Sequence, residues 1–122
     1  MDDRVIRVLC VDDNPDLAEV YASVIDAEDD METVGVLGSA DAMCATIREK
    51  GASVALVDLT MPGKPPLEAI EEASKEQPEC RVIVISGYDD SKTVSDALER
   101  GAWGFVSKHG EMETVLKAIR TV

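Results

Sequence analysis

The sequence predicts an α/β chain, one doubly wound parallel sheet with helices on both faces. Three observations carry this. Short apolar runs alternate five times with helical patterns, the order that builds parallel sheets through crossover helices. The run Val54–Val57 is apolar throughout, as expected for a strand covered on both faces. That run ends in Asp58, and other strand-like runs also end in polar residues, so one rim of the sheet gathers charged groups.

Taken in order, residues 5–11 form the first strand. Asn14 is placed to cap a helix with Pro15 in its first turn. Leu17, Val20, Tyr21, Val24 and Ile25 follow the spacing of one helix face. Residues 33–37 form a short second strand. Ser39 is placed to cap a helix with the face Ala40, Met43, Cys44 and Ile47, stopped at Gly51. Residues 54–58 are the third strand, and the loop Pro62-Gly63-Lys64-Pro65-Pro66 leads to a helix through Leu67, Ile70 and Ala73. Residues 81–85 are the fourth strand, closing on Ser86-Gly87. Residues 91–100 read as a helix with Val94, Ala97 and Leu98 inward and Gly101 as its stop. Residues 103–107 are the fifth strand, and Met112, Val115, Leu116 and Ile119 face the core from the last helix. Five such units suit a flavodoxin-like sheet of order 2-1-3-4-5, whose winding reverses between strands 1 and 3.

At 122 residues the chain is read as one domain, 1–122, with enough length for a real core. Apolar residues are 45 % and charged residues 30 %. No run approaches the roughly 20 apolar residues of a membrane helix. The acidic start, Met1-Asp2-Asp3-Arg4, has no signal-peptide core, which makes cytoplasmic the expected location. A net charge of −13 argues against direct nucleic-acid binding by this domain and leaves room for cations. Cys10, Cys44 and Cys80 show no CxxC spacing and are read as reduced packing residues rather than disulfide or zinc ligands.

The rim collects Asp12 and Asp13 after strand 1, Asp58 after strand 3, Ser86 after strand 4 and Lys108 after strand 5. Crowded carboxylates repel one another unless a hard divalent cation neutralises them, and Mg2+ suits carboxylate oxygens plus water and phosphate. Cation, carboxylate, hydroxyl and ammonium together match phosphoryl transfer to a carboxylate, with Asp58 as nucleophile. Each residue also has a plainer reading. The two first acids can serve a helix dipole, Ser86 a turn, and Lys108 solvent. His109 is read as a loop histidine, and Trp103 as either core or an exposed partner surface.

Asp12-Asp13, Asp58 with Met61-Pro62, Ser86-Gly87 and Lys108 in Gly104-Phe105-Val106-Ser107-Lys108 resemble the receiver domain of two-component response regulators. The spacings of 45, 28 and 22 residues from Asp13 to Asp58, Ser86 and Lys108 in turn agree, and the likeness spans the chain. It implies that Asp58 accepts phosphate from a histidine kinase, a phosphotransfer protein or small phosphodonors. It implies Mg2+ held by Asp13, Asp58 and the Thr60 carbonyl, with Asp12 acting through water. Ser86 and Lys108 would bind the phosphoryl group. Ser86 and Phe105 would switch the surface of helix 4, strand 5 and helix 5, the candidate homodimer face. Thr60 and Tyr88 match positions that tune slow self-dephosphorylation. Residues 97–108 and 115–119 are similar to LuxR/NarL-type receivers, which precede a helix-turn-helix output domain absent from this chain. The chain is then either a stand-alone regulator or a receiver excised from a longer regulator of transcription, and the stop at Val122, with no tail after the last helix, favours excision. The chain departs from the family pattern at Pro66, where glycine is usual, and at His109, where proline is frequent; a trans Lys108–His109 bond is therefore expected. Two other functions are compatible with these residues: a phosphorylation-independent receiver-like interaction domain, and an aspartyl-phosphate hydrolase acting on small phosphoesters. No GxGxxG or P-loop follows the first strand, which disfavours a nucleotide-binding domain.

Overall fold

The computed structural model describes residues 5–59, 63, 65–87 and 91–122. Five βα units run in chain order: β1 Ile6–Val11, α1 Pro15–Asp26, β2 Met31–Leu37, α2 Met43–Lys50, β3 Val54–Asp58, α3 Pro66–Glu76, β4 Arg81–Ser86, α4 Ser91–Glu99, β5 Gly104–Ser107 and α5 Met112–Thr121. The strands pair in parallel in the order β2-β1-β3-β4-β5. The expected fold class and topology therefore hold. No helix among the described residues is long and apolar enough to cross a membrane.

Strand alternation splits the core into two layers. Leu9, Val11, Ala55, Val57, Val82 and Val84 pack under α2, α3 and α4. Val8, Cys10, Val54, Leu56, Ile83 and Ile85 pack against α1 and α5. All five residues of β3 are buried, as its apolar run required.

Asn14 caps α1, its side-chain oxygen accepting from the Asp16 and Leu17 amides at 3.1 and 3.2 Å. Pro15 opens the helix. Gly51 ends α2 in the left-handed region at φ 65°, its neighbourhood closed by the Ala52 amide donating to the Ile47 carbonyl. Gly101 combines φ 112° with a position where a Cβ would lie 2.6 Å from Ser74 Cβ, so both backbone and space exclude a side chain there.

Several local expectations are corrected. β2 begins at Met31, two residues early, and carries an extra residue, Val34, between the pairs Val8–Thr33 and Leu9–Gly35. Ser39 does not cap α2. That helix starts at Met43 with no side-chain cap, and the Ser39 hydroxyl accepts from the Asp41 amide in a turn that still buries Ala40. Val20 is 47 % exposed, because α1 turns Ala18 inward beside Tyr21 and Ile25. Leu98 is 48 % exposed, because α4 meets the core through Ala97, and the next residue lies roughly 100° around the helix. Trp103 lies outside the core, 56 % exposed, just before β5 begins. The Arg81 guanidinium stacks 3.7 Å from its ring centroid, and Arg81 also donates to the Val122 carbonyl at 3.2 Å. No peptide bond among the described residues is cis, so Lys108–His109 is trans as expected.

Candidate functional site

The topology decides which polar groups meet. β1 and β3 are neighbours, paired Cys10 to Leu56 and Val11 to Val57, so the next step upward sets Asp12 beside Asp58. Asp12 and Asp58 are buried, at 5 % and 2 % exposure, while Asp13 is exposed. One carboxylate oxygen from each of Asp12, Asp13 and Asp58 can be chosen so that all lie within 4.8 Å of one another.

Lys108 arrives from the far side of the sheet. Its backbone amide donates to the Ser86 carbonyl at 2.9 Å, which extends the β4–β5 pairing past Ser107. Its ammonium donates to an Asp58 carboxylate oxygen at 2.8 Å. Burial works to lower the Lys108 pKa, but the hydrogen bond and charge of Asp58, with Asp12 and Asp13, raise it above the ordinary lysine value. Asp12 is the strained member of the acid group. Burial pushes its carboxyl above the usual range and the charges of Asp58 and Asp13 push it further, while the Asn14 amide and Lys108 oppose. The Asn14 amide donates to Asp12 at 2.9 Å, which orients that acid.

Ser86 is buried at the end of β4, one residue beyond the pair Asp58–Ile85. Phe105 is half-buried against the core layer under α2, α3 and α4. Its strand partner is Val84, whose side chain shares a sheet face with Ser86. Asp12, Asp13, Asp58, Ser86 and Lys108 thus gather at one rim, with Phe105 on a neighbouring strand. His109 is exposed, and its amide donates to the Ser107 hydroxyl. Thr60, Met61, Pro62, Lys64 and Tyr88 lie outside the described residues. Pro66 forms the first residue of α3.

Two features escaped the sequence reading. Asn14 was legible as a helix cap, but its second role, turning Asp12, rests on a backbone amide that carries no residue signature. Tyr21 was legible as a core position, but not that burial, and after it the charges of Asp12 and Asp58, raises its phenol pKa. The three cysteines are free, as expected. Burial raises the Cys10 and Cys80 thiols to about 12, which makes them poor nucleophiles and metal ligands. Cys44 stands near Glu72 and Glu76 where α2 meets α3.

A doubly wound sheet with an acidic pocket and a lysine at its switch point defines a class of α/β domain whose rim gathers hard oxygen donors and an ammonium, groups suited to cations and anions. Comparison with known proteins narrows it. The family model for the response regulator receiver domain matches residues 8–120. The chain belongs to that family, the receivers of two-component signalling systems. It is 31 % identical over 117 residues to the transcriptional regulatory protein MctR of Rhizobium johnstonii, covering 96 % of this chain and 55 % of that one. It is 27 % identical over 118 residues to the oxygen regulatory protein NreC of Staphylococcus haemolyticus, covering 96 % and 54 %. The chain spans about half the length of these curated relatives. Among solved structures it matches the response regulator domain of Thermotoga maritima CheB with a TM-score of 0.89 at 29 % identity, covering 97 % of this chain and 96 % of that one. It matches the receiver domain of the putative regulator NarL from Mycobacterium tuberculosis with a TM-score of 0.87 at 26 % identity, covering 98 % and 99 %.

Proposed function

We propose that this domain is the phosphoacceptor switch of a two-component system, with Asp58 as the acceptor. The observation that carries the reading is the Asp58 carboxylate held at 2.8 Å from the Lys108 ammonium inside a group of three acids. In the reaction, an Asp58 oxygen attacks the phosphorus of a phosphohistidine. The phosphorus–nitrogen bond breaks, and its electron pair returns to the imidazole of the donor. Lys108 takes up charge on the phosphoryl oxygens, and Ser86 donates a hydrogen bond to one of them.

The acid group fits Mg2+. Its donors are hard oxygens, and the repulsion that raises Asp12 is relieved by a divalent charge. Asp13, Asp58 and the Thr60 carbonyl are the proposed ligands, with Asp12 acting through water. The ion, when bound, offsets negative charge as the phosphoryl group approaches. Ser86 and Phe105 form the proposed switch, since Ser86 and the strand partner of Phe105 occupy successive inward positions of β4. Ser86 drawn toward the phosphoryl group would favour a second packing of Phe105 and of the α4, β5 and α5 surface, a population shift between two states. Thr60 and Tyr88 are assigned to tuning the rate of self-dephosphorylation. On this reading the domain is a signalling protein rather than a turnover enzyme.

The proposed location of the domain is the cytoplasm, and its proposed partners are a sensor histidine kinase or phosphotransfer protein and, through α4, β5 and α5, a second copy. The lengths of the relatives support a receiver unit, residues 1–122, within a longer transcription regulator bearing a helix-turn-helix domain. The test is intact-mass measurement after incubation with Mg2+ and acetyl phosphate. The expected result is one added phosphoryl group in wild type and none in Asp58→Asn. An Asp58→Asn protein that still gains it, or a wild type that gains none from any phosphodonor, overturns the reading.

A further inference from the structure

The chain has one histidine, and it stands at the mouth of the acidic pocket without a part in the phosphoryl transfer described above. The ends of β4 and β5 run side by side there. Ser86 pairs with Ser107, and the Lys108 amide donates to the Ser86 carbonyl at 2.9 Å. Gly87 follows Ser86 outward, and His109 follows Lys108. The His109 imidazole stands against the Gly87 step, its Nε2 lying 3.8 Å from the point that a Cβ on Gly87 would occupy. The turn that carries the ring is held from Ser107. The His109 amide donates to the Ser107 hydroxyl at 3.1 Å, and the Gly110 amide donates to the Ser107 carbonyl at 3.1 Å. Gly87 and His109 are both exposed, whereas Asp58 and Ser86 below them are buried.

Strand geometry relates this ring to the proposed acceptor. Asp58 pairs with Ile85, so Gly87 lies two residues further out along the sheet, a rise of roughly 7 Å. A phosphoryl group bonded to an Asp58 oxygen projects from the carboxylate into that interval. The Lys108 ammonium already lies on the same carboxylate at 2.8 Å. His109 Nε2, beside Gly87, borders the outer end of the interval.

We propose that His109 is a further phosphoryl-binding residue, its Nε2–H donating to an outer oxygen of the group carried by Asp58. Lys108 and Ser86 hold that group from the pocket floor, and His109 closes it from the solvent side. An N–H facing anionic oxygens makes a charge-assisted hydrogen bond, roughly twice as strong as a neutral one. Imidazole offers such an N–H in its neutral and its charged form. This assignment rests on the reading of Asp58 as phosphoacceptor and deepens it.

The test is titration of beryllofluoride, a phosphoryl mimic, into wild type, His109→Ala and His109→Phe in saturating Mg2+, followed by fluorine NMR. Mg2+ titrations without beryllofluoride are run on the same three proteins. Alanine removes the ring, and phenylalanine keeps its cover but has no N–H. Beryllofluoride affinity is expected to fall about tenfold in both variants, while the affinity for Mg2+ alone stays as in wild type. A His109→Ala protein that binds beryllofluoride as wild type does overturns the proposal. So does wild-type affinity in His109→Phe, which assigns the effect to the cover of the ring. A parallel loss of Mg2+ binding also overturns it, because the substitution has then disturbed the pocket as a whole. A wild type that takes up no beryllofluoride ends the Asp58 reading itself, and is told apart because it fails before any substitution is made.

Discussion

Lys108 and Asp58, fifty residues apart in the chain, meet at 2.8 Å with the Asp58 side chain almost wholly buried and the Lys108 side chain one-quarter exposed. The pair joins the ends of β3 and β5 across β4, and it is the one described ion pair within the acidic rim. Removing the ammonium leaves Asp58 buried among like charges. Lys108→Met is expected to lower stability by about 1–3 kcal/mol, less than for a fully buried pair because solvent reaches the lysine. The same change should slow phosphoryl uptake about 10²–10³-fold, the usual cost of losing one charge-stabilising donor. Denaturant melts and timed mass spectra check the two effects separately.

Like-charge repulsion predicts an opposite effect at Asp13. This exposed acid adds charge beside Asp12 and Asp58. Asp13→Asn should raise the Mg2+-free melting temperature by a few degrees, since relief of about 1 kcal/mol moves a domain of this size by that much. It should also weaken Mg2+ binding at least tenfold. A melt that falls on substitution would contradict the repulsion argument.

Asp12 gives the pH dependence. Burial, with the charges of Asp58 and Asp13, raises its folded pKa above the ordinary aspartate value. Between the unfolded and folded values the native state holds more protons, so stability falls as pH rises through that window and recovers as the acid is protonated. Without Mg2+, Asp12→Asn should flatten this part of the profile, and saturating Mg2+ should flatten it in wild type. Lys108 acts at the other end. Its raised pKa supplies stability that is complete below the unfolded lysine value and is lost as pH climbs through the higher folded one. Melts from acidic to strongly alkaline pH, in wild type and both variants, check the signs.

Gly101 is the predicted weak point of the scaffold far from the chemistry. Its φ of 112° and the 2.6 Å approach to Ser74 penalise any side chain. Gly101→Ala should cost about 1–3 kcal/mol through backbone strain and displacement of α3. Ser74→Gly in the same protein removes the clash and leaves the strain, so it should restore only part. Full restoration would show that φ contributes little there.

The five-unit alternation, the buried character of β3 and the arrival of polar residues at strand ends were all determined by the sequence, because strand burial and helix caps are local signals written in neighbouring residues. Asn14, Pro15 and Gly51 marked their boundaries for the same reason. Helix rotation was not legible at that level. Val20 and Leu98 satisfy an inward spacing, yet Ala18 takes the inner position in α1 and Ala97 alone is fully buried in α4, since the sheet selects which edge of a broad apolar stripe it covers. Ser39 fits a cap by residue type, but the turn before α2 engages it first. Trp103 was open between core and surface until its place at the start of an edge strand exposed it beside Arg81. Only the tertiary structure could set Asp12 beside Asp58 and Lys108 on Asp58. Those contacts depend on the strand order 2-1-3-4-5 and its register, and distances across a sheet are fixed by pairing between segments remote in the chain.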